Sequence, residues 1–125
     1  MEIFQKGIFS VFLVLLCSGA LAAEVKIEEF GGFDDPFSQK FYSETLPQIR
    51  GAYGENVELV FRHYPLSFHQ YAQKAAEASE CSREQGKFTQ YHNLLFENKD
   101  FTDRALREYA SKLGLDAEKF ASCLS

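Results

Sequence analysis

The sequence predicts an α/β domain in which a β-α-β unit is followed by four helices. Three observations carry this reading. The stretches "EVKIEEF" and "NVELVFRHY" alternate apolar and polar residues as strands do. The segment between them opens with a helix-start signal, and the chain beyond Pro65 repeats apolar residues at helical spacing. At 125 residues the chain fits one domain, and no repeat, linker or low-complexity run divides it.

The first 22 residues read as a signal peptide and residues 23–125 as the domain. Lys6 precedes the uncharged run Gly7–Ala23, which ends in Ala20-Leu21-Ala22. A basic start, an apolar centre and a small-residue cleavage pattern describe an export signal. The rival reading is a retained membrane anchor, because the run just reaches the length of about 17 residues that can span the hydrocarbon core. A lipid-modified Cys17 is disfavoured by the bulky Leu16 before it. The expected location is therefore periplasmic or secreted, with no membrane contact after cleavage.

The first strand, Glu24–Phe30, sets Val25, Ile27 and Glu29 on one face. "GGFDD" follows as a turn, and Asp35-Pro36 supplies an N-cap acceptor with proline at the first helical position. That helix is expected to reach about Ala52, with Phe37, Phe41, Thr45 and Ile49 on one stripe and a kink near Thr45 because of Pro47. The second strand, Asn56–Tyr64, places Val57, Leu59 and Phe61 together and ends at Pro65. Four helices follow. Their stripes are Ala72, Ala75, Ala76 and Ser79, then Phe88, Tyr91 and Leu95, then Leu106, Tyr109, Ala110 and Leu113, then Ala117, Phe120, Ala121 and Leu124. Thr102 and Asp116 are N-cap candidates and Gly114 a stop. A strand–helix–strand unit of this length favours a parallel pair. Two parallel strands alone make an unfinished sheet.

The formal net charge is −5, with no Lys/Arg cluster, which argues against nucleic acid as a partner. Beyond the export segment two cysteines remain, Cys81 and Cys123, and an even pair in an exported chain reads as a structural disulfide. Buried reduced cysteines are the alternative. His63, His69 and His92 have no metal spacing and read as structural histidines bonded to backbone or caps. No metal or cofactor is expected, and Gly31-Gly32 is too short for a phosphate loop.

The run Phe61–Asn98, with Phe61-Arg62-His63, Pro65-Leu66, Ala75-Ala76, Cys81, Gln85-Gly86-Lys87-Phe88, Tyr91-His92 and Leu95-Phe96, resembles the DsbA-like branch of the thioredoxin superfamily. The tail Leu113–Leu124 resembles that branch's last inserted helix, cysteine included. The resemblance implies a thioredoxin-like fold, left incomplete, whose β-α-β unit is followed by a four-helix DsbA-type insertion. It also implies a thiol-disulfide oxidoreductase family.

Aligned through Phe30, Phe33 and Pro36-Phe37, the family's Cys-Pro-x-Cys motif falls on Asp35-Pro36-Phe37-Ser38. The motif works because a thiolate at a helix N-terminus is stabilised by free N–H groups and attacks a disulfide. Asp35 and Ser38 carry no sulfur, so the expectation is a degenerate site without dithiol activity. Kappa-class glutathione transferases carry Ser-Pro-x-Ser there, but a carboxylate at Asp35 would repel the glutathione thiolate. Complete family members continue into further strands, so the sequence also suggests a binding module whose open sheet edge is completed by a protein partner or by self-association. A third possibility, exchange through Cys81 and Cys123 themselves, is disfavoured by their separation and expected burial in helices.

Overall fold

Residues 25–125 are described by the computed structural model, so the segment read above as a signal peptide lies outside the described residues. Strands β1 (Val25–Gly31) and β2 (Val57–His63) pair in parallel, in register from Val25 opposite Val57 to Gly31 opposite His63. The connection is a turn over residues 32–35 followed by α1 (Pro36–Lys40), a π-helical turn (Phe41–Thr45), α2 (Leu46–Tyr53) and a short 3-10 turn (Gly54–Asn56). The insertion follows as α3 (Ala72–Glu84), α4 (Phe88–Asn98), α5 (Asp103–Lys112) and α6 (Ala117–Cys123). The element order, the parallel pairing and the four-helix insertion agree with the sequence reading.

The break expected near Thr45 takes the form of the π turn, in which the Leu46 N–H donates to the Phe41 carbonyl. Pro47 has no N–H to give and its ring crowds the carbonyl four residues back, so a widened turn lets the helix pass the proline. The stripe expected on this helix needs correction. Phe37 is 81% exposed and Thr45 is exposed, whereas Ser38 and Leu46 are buried and Tyr42 is half-buried. Ser38 seats against Gly31 and fixes the rotation of α1. The wide turn then keeps positions four apart on that same side.

The core lies between the sheet and the insertion. Phe33, Phe61, Tyr91, Leu95, Phe96, Leu106 and Phe120 are all buried. Tyr91 donates its hydroxyl to the Leu106 carbonyl at 2.8 Å, which satisfies the one polar atom of an otherwise apolar side chain. The caps on α5 and α6 form as expected: Thr102 accepts from the Ala105 N–H and Asp116 from the Lys119 N–H. Gly114, at φ 69°, ends α5 in the left-handed region where a side chain would be strained.

Cys81 and Cys123 are joined, linking α3 to the end of α6 across 42 residues of sequence. Cys81 is buried, but Cys123 is exposed, against the expectation that both would be enclosed in helices. Its position in the last turn of α6 explains the difference. Lys74 Nζ adds a second tie by donating to the Leu124 carbonyl at 2.6 Å. Closing a loop of this length restricts the unfolded chain, worth about 4 kcal/mol at most in the chain-entropy account. The double change Cys81→Ser/Cys123→Ser is therefore expected to lower unfolding free energy by about 2–4 kcal/mol, measured by urea denaturation against the oxidised protein. An unchanged midpoint would show that α6 is held by packing alone.

Candidate functional site

The site predicted from the sequence lies where β1 ends and α1 begins. Phe33 is fully buried, and it pins the intervening turn. The Asp35 N–H donates to the Gly32 carbonyl at 3.2 Å, and the Tyr64 N–H donates to the Gly31 carbonyl at 2.8 Å, so the turn is tied to the end of β2. Asp35 Oδ2 then accepts the Ser38 N–H at 2.7 Å and caps α1, with Pro36 in the first turn.

Asp34 and Asp35 point apart. Asp34 Oδ2 accepts the Tyr71 N–H at 3.1 Å, and its Oδ1 lies 3.5 Å from His69 Nδ1. Asp34 thus fastens the turn to the loop between β2 and α3, while Asp35 serves the helix. Ser38 is buried, and a Cβ placed on Gly31 would collide with Ser38 Oγ, so a side chain there would force Ser38 to shift.

One residue at this site was not singled out by sequence reasoning. Glu29 Oε1 is buried and has no hydrogen-bond partner among the described residues, and it lies close to Gly31 and Ser38. Burial, and secondarily the Asp35 charge, push its carboxyl up to about 7. The available signal was a carboxylate on the inward side of an otherwise apolar alternation.

The histidines are held differently from the sequence expectation of backbone and cap bonds. His63 Nε2 lies 2.7 Å from Glu80 Oε1 and 3.2 Å from Ser79 Oγ. Burial works against the Glu80 charge, yet hydrogen bonds from Arg83 and His63 outweigh it and hold the carboxyl below its usual range. Ser79, His63 and Glu80 do not make a hydrolytic triad. Both partners sit on one ring nitrogen, Ser79 is wholly buried, and its hydroxyl donates to the Ala76 carbonyl. His92 sits among Phe33, Tyr42, Phe61, Phe88 and Phe96, and burial holds its pKa down to about 4, so it is neutral at pH 7.

Among the described residues no group of three or more His, Cys, Asp or Glu could hold a metal, and no helix is long and apolar enough to cross a membrane. A cavity of about 320 Å³ lies between α2, β2 and α4, beside Arg50, Phe61, Phe88 and His92, but no residue from Glu29 to Ser38 lines it. The described sulfur atoms lie on α3 and α6, and the N-terminus of α1 presents oxygen.

The fold and the turn together define a thioredoxin-superfamily protein, and the comparisons agree. The family described as Thioredoxin matches residues 15–125. The chain belongs to that family, in its DsbA-like branch. It is similar to a stretch of Na(+)/H(+) antiporter NhaA 3 of Salinispora tropica, 36% identical over 111 residues that make up 86% of this chain and 16% of that protein. A similar stretch of NhaA 1 of Mycolicibacterium vanbaalenii is 33% identical over 104 residues, covering 82% of this chain and 17% of that protein. The chain thus spans about a sixth of the length of these relatives. Among solved structures it matches a thioredoxin-like oxidoreductase from Silicibacter pomeroyi DSS-3, with TM-score 0.69 and 24% identity, over 82% of this chain and 58% of that one. That likeness concerns the fold.

Glu29 gives the site a pH signature. The folded protein holds the Glu29 proton more tightly than the unfolded chain, whose carboxyl keeps the ordinary value of 4.5. The resulting stability is fully present below pH 4.5 and is lost as pH rises through about 7. Glu29→Gln, which keeps the shape without the charge, is expected to gain on the parent protein as pH rises from 5 to 8, measured as the difference in Tm. A difference that stays flat over that range would place the carboxylate in water.

Proposed function

We propose that this is an exported thioredoxin-fold protein of the DsbA type that does not carry out dithiol exchange at its first helix. The observation that supports this reading is the N-cap of α1. Exchange needs a sulfur nucleophile there, and Asp35 occupies the cap with an oxygen bonded to the Ser38 N–H. Ser38, one turn inside, is buried against Gly31 and has no sulfur to resolve a mixed disulfide. The export part rests on the segment before Ala23 and on the Cys81–Cys123 bond, which persists outside the reducing cytosol.

Protein recovered from the exported fraction is expected to begin at Ala23 by N-terminal sequencing and to show no insulin-reducing activity above buffer. Asp35→Cys/Ser38→Cys is expected to introduce that activity, because the helix start and the Pro36 turn are already in place. Activity in the parent protein that survives Cys81→Ser/Cys123→Ser would sink the proposal.

A second reading is favoured by the sheet. Among the described residues β1 pairs only with β2, leaving its other edge without a strand, and Val25 and Phe30 on it are exposed. Such an edge is a template for strand addition. In this reading the protein works as a binding module that another chain completes. Sedimentation over a range of concentrations, with amide exchange read at β1, tests for a second copy in that role. Mass should rise with concentration while β1 amides slow. A monomer with fast-exchanging β1 amides at all concentrations removes self-pairing from consideration.

A further inference from the structure

We propose that the cavity between α2, β2 and α4 binds a small organic acid, an aromatic ring carrying one carboxylate. The cavity lies apart from the turn at α1, so the proposal stands whether or not that turn exchanges thiols. At about 320 Å³ it is at the low end of the range for small-molecule sites, which suits a single ring with its acid group.

The walls divide by chemistry. Tyr42, Leu46, Leu59, Phe61 and Phe88 supply apolar surface, and the aromatic faces among them suit a ring. Arg50, Arg83, Thr89, His92 and Asn93 supply polar groups. From β2, Glu58, Leu59, Val60 and Phe61 line the space in a row. Successive side chains of a strand point to opposite faces, so a space reached by all four meets the edge of the strand. Among the described residues β2 pairs with β1 alone, so this edge keeps backbone N–H groups to donate.

Charge on the polar side favours an anion. Among the described residues Arg50 makes no ion pair. Arg83 is held in place, its guanidinium carbon 3.6 Å from the Phe88 ring centre and its Nε donating to Glu80 at 2.8 Å. The carboxylate on the wall, Glu58, is 3.8 Å from Lys26, which offsets its charge; Glu97 lies beside Tyr42 but does not line the cavity. His92 adds an unmet need. It is buried, its Nδ1 lies 3.3 Å from Asn93 Oδ1, and its Nε2 has no partner among the described residues. Burial foremost, with smaller effects that include the Arg50 and Arg83 charges, keeps this ring neutral at pH 7. Buried polar atoms normally have partners, and on a cavity wall a bound ligand supplies one. Guanidinium groups pair with a planar carboxylate through parallel hydrogen bonds, a match that a neutral amide lacks. Inorganic phosphate has no apolar part to set against the rings.

The test titrates the protein with cinnamate, its neutral analogue cinnamamide and inorganic phosphate, read by amide chemical shifts in NMR. Cinnamate is expected to shift the Leu59, Thr89, His92 and Asn93 amides and to saturate with Kd of about 1 mM or below. Cinnamamide should bind about tenfold or more weakly, and phosphate should not compete at equal concentration. Arg50→Gln, at an exposed position, should weaken cinnamate about tenfold without moving the Tm. Thr89→Trp, also exposed, should fill the cavity and abolish the shifts with the fold intact. Absence of cinnamate shifts at these amides overturns the proposal, as does equal affinity for cinnamamide. Cinnamate binding that survives both substitutions overturns it too, and phosphate competing as well as cinnamate would reduce the site to a general anion sink. Insulin reduction by the protein bears on the turn at α1 and leaves this proposal where it stands.

Discussion

Burial of the Phe33 ring is the constraint on which the rest of this structure depends. The ring lies 5.1 Å from Phe61 on β2 and 5.0 Å from Phe96 on α4, centroid to centroid, with His63 and His92 closing around it. One side chain in a turn therefore joins the β-α-β unit to the helical insertion. Aromatic pairs at these separations favour tilted and edge-on geometry, which fixes orientation as well as distance. Since Phe33 is two residues before Asp35, docking this ring also aims the start of α1. The turn is held from both sides, its hydrophobic centre in the core and Asp34 bonded to the Tyr71 N–H of the following loop.

That placement separates two tasks that a thioredoxin site combines. The geometry that would expose a nucleophile at a helix tip is kept: a proline in the first turn, a capping oxygen and a glycine that lets strand and helix approach. The atoms at the tip are oxygens of Asp35. An aspartate at this tip interacts favourably with the N–H groups of the helix, as a thiolate would, but cannot form a bond to sulfur. Glu29 beneath it carries a raised carboxyl whose Oε1 has no hydrogen-bond partner among the described residues. The described cysteines tie α3 to α6.

The helical insertion stabilises this arrangement from behind. Leu106, Tyr109 and Ala110 on α5 and Phe120 on α6 bury one face each. The Cys81–Cys123 bond then limits how far α6 can separate from α3. Exposed ion pairs such as Lys26 with Glu58 contribute little by comparison, being half in water. A partly buried polar contact bridges the layers instead, where His63 joins β2 to Glu80 and Ser79 on α3.

Much of this was legible in residues whose effects are local. Strand alternation, the Asp35-Pro36 start, the Thr102 and Asp116 caps and the Gly114 stop act within a turn or two of chain, so their spelling is enough. The cysteine pairing was legible for another reason: with two candidates, counting leaves one bond. Tertiary structure decided what local patterns leave open. Whether Phe37 or Ser38 faces inward depends on the fit against Gly31 and on the π turn that accommodates Pro47. The shift at Glu29 depends on burial, and the partners of His63 lie 16 and 17 residues away. Spacing along a chain can set the rotation of a helix or the parity of a strand, but desolvation and long-range contact exist only once the elements have met.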